Sequence, residues 1–151
     1  MKVKLKKLNE NAVLPTKATS HDFCYDVVAV SEEEVAPNVW RYGLGFAYEI
    51  EDEEDGFIAN DINICIDFRP RSSVWKTGMV LSNCVGTLDE LYRGEVMAVF
   101  YHVVDSLPRY KVGDRIGQIK FGFTIPLNFE FVDEINVNTD RGTDGFGSTG
   151  E

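Results

Sequence analysis

The sequence predicts an all-β fold, a sandwich or jelly-roll-like barrel with very little helix, on three observations. About ten short stretches are rich in β-branched and aromatic residues, and turn signals separate them at frequent intervals. Aromatic residues make up 12% of the chain, with 10 Phe and 6 Tyr, and such side chains favour strands. Helix signals are nearly absent. The length of 151 residues suits one domain with one core.

The apolar and alternating stretches predict the strands in chain order. Residues 1–8 alternate Lys with Val and Leu, as in an edge strand guarded by lysines. Residues 31–37 carry three consecutive glutamates and predict a polar connection. A short helix is expected after Pro70, interrupted by Gly78. The remaining strands are expected at residues 21–30, 40–50, 62–68, 79–81, 96–104 and 114–123, with strand character continuing to Val132.

The charge and the cysteines limit the partners and the compartment. The net charge of −10 disfavours broad binding to nucleic acid, although a few Arg side chains and backbone N–H groups can still form a local phosphate site. Three cysteines without a Cys-x-x-Cys spacing form neither a zinc site nor a disulfide framework. No apolar run reaches membrane-spanning length. We therefore expect a cytoplasmic protein with no membrane partner.

Residues 83–95, NCVGTLDELYRGE, are the most informative stretch of the chain. The flanking apolar residues 79–81 and 96–104 predict a hairpin whose turn carries Asp89 and Tyr92. Rigid arms can hold such side chains in a tight geometry. On its own, the same pattern also fits a surface turn with a solvated carboxylate.

Four other polar segments each allow a functional and a structural interpretation. Asp22 and Asp26 suit either the water shell of a metal or the backbone donors at a strand entry. Residues 69–73, Arg-Pro-Arg-Ser-Ser, predict an anion site or a simple helix cap. Gln118 is either an edge amide or a donor to a ligand. Residues 141–150, RGTDGFGSTG, suit phosphate oxygens or a flexible tail, and they do not form a Walker loop.

Taken together, five segments resemble the motifs of the homotrimeric dUTPases, in that family's order and over nearly the whole chain. The segments are HDFCYDV at 21–27, PRSS at 70–73, NCVGTLDELYRGE at 83–95, GDRIGQ at 113–118 and RGTDGFGSTG at 141–150. The third and fifth are highly specific. Cys24, Trp75 and Asp144 depart from the family's usual small residues or glycines.

The resemblance implies a magnesium-dependent enzyme that hydrolyses dUTP to dUMP and pyrophosphate. It implies a β-barrel domain of the dUTPase type at residues 1–140 and a glycine-rich arm at 141–151 that closes over an active site. The family's homotrimers build each site from three subunits. Two alternatives stay open. One is a dCTP deaminase of the same superfamily, which requires a general-base Glu. The other is a non-catalytic dUTP-binding regulator, with residues 51–60 as a candidate partner surface.

The resemblance also assigns roles to residues. Asp89 corresponds to the carboxylate that activates the attacking water, and Tyr92 to the aromatic packed on the deoxyribose. Asp26 corresponds to the carboxylate that reaches Mg²⁺ through its water shell, and Phe146 to the aromatic that stacks over uracil. The uracil-reading hairpin comprises Asn83, Gly86, Thr87 and Leu88. The phosphate contacts are Arg71, Ser72, Ser73 and Gln118, with Arg141, Gly147, Ser148 and Thr149 on the arm.

Overall fold

The computed structural model describes residues 2–51 and 63–139. Within these residues there are ten strands and one short helix, a 3-10 helix at Ser72–Lys76. The strands are β1 Lys2–Lys7, β2 Tyr25–Val28, β3 Ser31–Ala36, β4 Val39–Gly43, β5 Phe46–Glu51, β6 Asn63–Arg69, β7 Met79–Leu81, β8 Gly86–Leu88, β9 Met97–His102 and β10 Arg115–Thr124.

All strand pairs are antiparallel, and they form two four-stranded sheets and a two-stranded one. Sheet I has the order β2-β10-β6-β8, sheet II has the order β3-β4-β9-β7, and β1 pairs with β5. The core lies between the sheets. Phe68 of sheet I meets Phe100 of sheet II edge to face, with ring centroids 6.2 Å apart, and the rings of Tyr42 and Tyr110 also contact Phe100. The predicted all-β, jelly-roll-like fold is confirmed.

The central segment is more than the predicted hairpin. The two arms pair as expected, since Met79 of β7 lies opposite His102 of β9 and Leu81 opposite Phe100. The residues between them do not form a simple turn. They cross to sheet I, where β8 pairs with β6, and then return to sheet II. The predicted turn is therefore a crossing between the two sheets.

One prediction near the start of sheet II is wrong, and a second is confirmed but divided. Residues 31–37 are not a connection, because Ser31–Ala36 forms β3 and pairs with β4 around Asn38, whose φ is 61°. Hydrogen-bond partners stabilise its glutamates; for example, the guanidinium of Arg109 donates to the carboxylate of Glu32. Residues 40–50 are two strands, because Gly45 adopts φ 73° and redirects the chain from sheet II to β5.

The predicted buried strand at residues 96–104 is buried on one face only. Ala98 and Phe100 of β9 lie in the core, while Met97 and Tyr101 are exposed on the opposite face. This alternation is usual for an antiparallel sheet with one face against the core.

The prediction of strand character up to Val132 is also wrong. Strand β10 ends at Thr124, and residues 125–139 form no strand. A strand needs a partner for its backbone groups, and the described residues offer none to this segment. Its apolar side chains face outward: Phe129 is 90% exposed and Phe131 110%, and Ile125, Leu127, Val132, Ile135 and Val137 are exposed as well.

Two further expectations concern membranes and cysteines. Within the described ranges, no helix has the length and apolar character needed to cross a bilayer. Cys24, Cys65 and Cys84 are all free thiols.

Candidate functional site

The residues that follow β8 line a cleft of about 300 Å³. The carboxylate of Asp89 is exposed there and forms no hydrogen bond or ion pair with any residue that the structure describes. A carboxylate without a protein partner can accept hydrogen bonds from a water or a ligand. The lining residues are Thr87, Leu88, Asp89, Tyr92, Glu95 and Met97.

Several hydrogen bonds fix the backbone around Asp89. Its carbonyl oxygen accepts from the backbone N–H of Tyr92, at 3.0 Å, and from the hydroxyl of Tyr48. The guanidinium of Arg93 donates to the carbonyls of Glu90 and Tyr92, at 2.7 and 3.1 Å. The loop that carries the free carboxylate is therefore held by its neighbours.

The ring of Tyr92 is held at the wall of the cleft. Its hydroxyl donates to the carbonyl of Glu95 at 3.0 Å, and a Cβ on Gly94 would lie only 2.3 Å from that hydroxyl oxygen. The carboxylate of Glu95 in turn accepts from the backbone N–H of Gly45 at 2.8 Å. Glycine at position 94 therefore allows the close approach of the ring, which remains 40% exposed.

Strand β8 is an edge strand of sheet I, and β6 is its one strand partner among the described residues. The backbone groups on its outer edge are free to pair with a ligand. The amide of Asn83 lies beside Gly86, since a Cβ there would meet its Nδ2 at 3.3 Å. The hydroxyl of Thr87 donates to Asp67 at 3.0 Å and is thus engaged within the chain.

Asp67 also pairs with Arg69 on the same strand. The guanidinium Nη2 lies 2.9 Å from the carboxylate, and this hydrogen bond holds the pKa of Asp67 below its usual value. The Nε of Arg69 is buried and has no hydrogen-bond partner among the described residues. One donor of this cation is therefore available to an acceptor outside the described residues.

A second polar group surrounds Asp26 on strand β2. Its Oδ1 accepts from Arg71 Nε at 3.2 Å and from Gln118 Nε2 at 3.1 Å, and its Oδ2 accepts from Arg115 Nη1 at 2.9 Å. The side chain of Asp26 is 11% exposed. The structure thus brings together Asp26, Arg71 and Gln118, three of the residues singled out in the sequence, and adds Arg115.

Ser72 and Ser73 begin the 3-10 helix directly after Arg71. Arg71 is the N-cap residue and makes no side-chain cap hydrogen bond. Neither serine hydroxyl has a hydrogen-bond partner within residues 2–51 and 63–139. The interpretation of this segment as a simple helix cap is therefore wrong, and the hydroxyls are free to bind a ligand.

The two polar groups lie well apart within one chain. Continuing the pairing of β8 with β6 by one residue places Asp89 beside Cys65 of β6. On the other side of β6, Gln118 of β10 lies opposite Arg69. Asp89 and Gln118 are thus two strands apart across the sheet and four residues apart along it, so their Cα atoms are roughly 16 Å apart. The single chain does not combine Asp89 and the Asp26 group into one compact site.

The part of the chain that the structure describes holds no group of three or more His, Cys, Asp or Glu side chains suited to a metal ion. The predicted arm residues Arg141, Phe146, Gly147, Ser148 and Thr149 lie outside the described residues, as does most of the acidic segment 51–60.

Sequence reasoning missed three residues that shape the site, namely Arg115, Glu95 and Tyr48. Arg115 and Gln118 are three residues apart, so simple alternation would put them on opposite faces. A register shift between Arg115 and Gly117 brings both to Asp26. Glu95 and Tyr48 act through backbone groups, and no pattern in the sequence signals such contacts.

Comparisons with known proteins identify the family of the chain. The sequence model of the family described as dUTPase matches residues 10–150. A deoxyuridine 5'-triphosphate nucleotidohydrolase of Nautilia profundicola is 31% identical over 153 residues, and the alignment covers 100% of both chains. That of a Picosynechococcus species is 33% identical over 152 residues, with 99% of each chain covered.

Solved structures show the same fold. The dUTPase of Staphylococcus bacteriophage 80alpha, solved with dUpNHpp, has a TM-score of 0.78 at 21% identity, over 99% of both chains. A mutant dUTPase from phage phi11 of S. aureus, solved with a structural Mg(II) ion, has a TM-score of 0.67 at 18% identity, over 89% of this chain and 99% of that one. The family match over residues 10–150 and the relatives from Nautilia and Picosynechococcus establish that the chain belongs to the dUTPase family.

Proposed function

We propose that this chain hydrolyses dUTP to dUMP and pyrophosphate. The observation that carries the proposal is the unpartnered carboxylate of Asp89, held on a fixed loop at the cleft after β8. Asp89 orients a water and accepts its proton as the water attacks the α-phosphorus. Phosphoryl transfer depends mainly on positioning and on neutralisation of charge, which suits a site with one fixed carboxylate.

The outer edge of β8 and the amide of Asn83 bind the uracil. The backbone groups of strand β8, Gly86–Leu88, that point away from β6 support this proposal, because they can pair with the edge of a base. A cytosine would leave polar groups unpaired there, which is a strong source of discrimination. Tyr92 packs on the deoxyribose, and its fixed ring leaves no room for a 2′-hydroxyl.

Arg71, Ser72, Ser73 and Gln118 bind the triphosphate. The free serine hydroxyls beside Arg71 support this assignment. A planar guanidinium and hydroxyl donors are well suited to phosphate oxygens. The family relation extends the same role to Arg141, Gly147, Ser148 and Thr149 on the arm, with Phe146 stacked over the uracil.

Asp26 fits a magnesium ion bound through water. A carboxylate offers about four acceptor sites, and three hydrogen bonds leave room for one more. Mg²⁺ retains several waters and binds through few carboxylates, so the nucleotide's oxygens would supply most of its ligands. When bound, the ion neutralises charge on the triphosphate. Asp26 would hold one of its waters, and Arg71 and Gln118 would remain beside the phosphates.

The active unit is a homotrimer with shared sites. The separation of roughly 16 Å between Asp89 and Gln118 supports it, because another subunit can supply the missing half of each site. The exposed apolar residues of segment 125–137 also support it, since such a row suits burial against another chain. Residues 1–140 form the barrel domain, and residues 141–151 form the arm that closes over a site.

The compartment is the cytoplasm, and the substrate is a small molecule rather than a nucleic acid. Three free cysteines suit a reducing environment. A net charge of −10 repels a polyanion, while the cations around Asp26 suit a single nucleotide.

Asp89→Asn tests the catalytic role. The amide keeps the size of the side chain but cannot accept the proton of the water, so kcat should fall about 10²- to 10⁴-fold. Binding of the imido analogue dUpNHpp should stay at the parent level. Asp105→Asn, an exposed carboxylate without a described partner, is the control and should keep parent turnover. Parent-like pyrophosphate release by the Asp89 variant would show that the mechanism is wrong.

Asp26→Asn tests the magnesium site. Loss of the charge that holds a bound water should raise the Mg²⁺ concentration for half-maximal turnover about tenfold. Titration of pyrophosphate release with MgCl₂ at fixed dUTP measures this. Asp22→Asn is the matched control, because Asp22 bonds Thr19 and not the cations. An unchanged Mg²⁺ requirement in the Asp26 variant would rule out its place in the metal's water shell.

Sedimentation equilibrium tests the trimer. The parent should show a mass three times 17.0 kDa. The double variant Phe129→Asp and Phe131→Asp puts charge into the exposed apolar row and should shift the protein toward lighter species with lost turnover. Glu130→Gln, between the two, is the control and should remain trimeric. An active monomer would contradict the shared site.

A further inference from the structure

The backbone of Asp89 is held by hydrogen bonds outside the β8–β6 ladder. The last backbone pair of β8 joins Leu88 to Ile66, so Asp89 lies beyond the ladder. Its carbonyl accepts two hydrogen bonds, one from Tyr92 within the same loop and one from the hydroxyl of Tyr48. Tyr48 lies on β5, which pairs with β1 and belongs to neither of the four-stranded sheets.

Tyr48 is a rigid donor. Its side chain is 2% exposed and packs in the core, where it lines a small void with Ile66 and Leu88. Burial raises the pKa of Tyr48, so the hydroxyl keeps its proton and remains a donor. A buried aromatic side chain has little rotational freedom, and its hydroxyl therefore occupies a fixed point.

The other contacts of the loop do not replace this one. The Tyr92 N–H and the Arg93 guanidinium bond carbonyls within residues 89–92, so they set the shape of the loop. Among the described residues, two side-chain contacts tie the loop to the barrel. Glu95 bonds the N–H of Gly45 at one end, and Tyr48 bonds Asp89 at the other.

We infer that Tyr48 is a positioning residue for the reaction, because its buried hydroxyl holds the backbone of Asp89 and thereby directs the Asp89 carboxylate. The inference rests on the proposed function. Without the hydroxyl, the loop loses this tie to the core, so it shifts relative to the barrel and its internal hydrogen bonds open more often. Misplacement of a reacting group by about 1 Å can cost on the order of 100-fold in rate.

Tyr48→Phe and Tyr42→Phe form a matched pair for the test. Both tyrosines are buried, at 2% and 0% exposure, and each hydroxyl donates to a backbone carbonyl, that of Tyr42 to Tyr110 at 2.9 Å. Each substitution removes one oxygen and a hydrogen bond to a backbone carbonyl, and Tyr42 also bonds Arg109, so Tyr42→Phe should lower urea stability at least as much as Tyr48→Phe. They differ in which carbonyl loses its donor: that of Asp89 in Tyr48→Phe and that of Tyr110 in Tyr42→Phe.

Tyr48→Phe should lower kcat for dUTP about tenfold and leave KM within about twofold, because the base and phosphate contacts, unlike the Tyr92 sugar contact, lie outside the loop. Tyr42→Phe should keep both constants. Hydrogen exchange supplies a readout independent of turnover: the Tyr92 amide should exchange faster in Tyr48→Phe and not in Tyr42→Phe.

Three results would overturn the positioning role. They are parent kcat in Tyr48→Phe, an equal loss of kcat in both variants, or unchanged exchange of the Tyr92 amide. If the parent protein itself releases no pyrophosphate, the proposed function fails. The exchange measurement then decides by itself whether Tyr48 holds the loop.

Discussion

The site depends on how the chain holds a carboxylate beyond the end of a strand. Asp89 follows the last paired residue of β8, where ladder hydrogen bonds no longer fix the backbone. Its carbonyl is instead bonded by Tyr48 from the core and by Tyr92 from the loop. This arrangement leaves the carboxylate itself without a described partner. Fixed backbone and free side chain together are what a residue that activates water requires.

A single carboxylate also organises the polar group around Asp26. Arg71 and Arg115 converge on one place in a chain with a net charge of −10. Asp26 lies between these two cations and offsets their mutual repulsion. Gln118 completes the group from the neighbouring strand β10. A cationic patch suited to phosphate thus persists on an acidic protein, since its cations are organised around one carboxylate.

Much of this could be predicted from the sequence. Alternating residues predicted most strands, and the segments around Asp26, Arg71, Asp89 and Gln118 indicated the site. The features that could not be predicted depend on contacts between residues distant in the sequence. Strand β8 crosses to sheet I because it pairs with β6, and no local pattern in residues 83–95 indicates that partner. The register shift before Gly117 and the reach of Tyr48 to Asp89 likewise arise from packing. Residues 125–132 have the composition of a strand, and their partner is not found within the described residues.

The central claim is that this fold selects the deoxyuridine nucleotide and cleaves it after the α-phosphate. Pyrophosphate release by the unmodified protein with Mg²⁺, compared for dUTP, UTP, dTTP and dCTP, tests it most directly. The account predicts turnover of dUTP, with each of the other three slower by on the order of 10²-fold or more. Equal hydrolysis of UTP, ammonia released from dCTP, or binding of dUTP without pyrophosphate would contradict it.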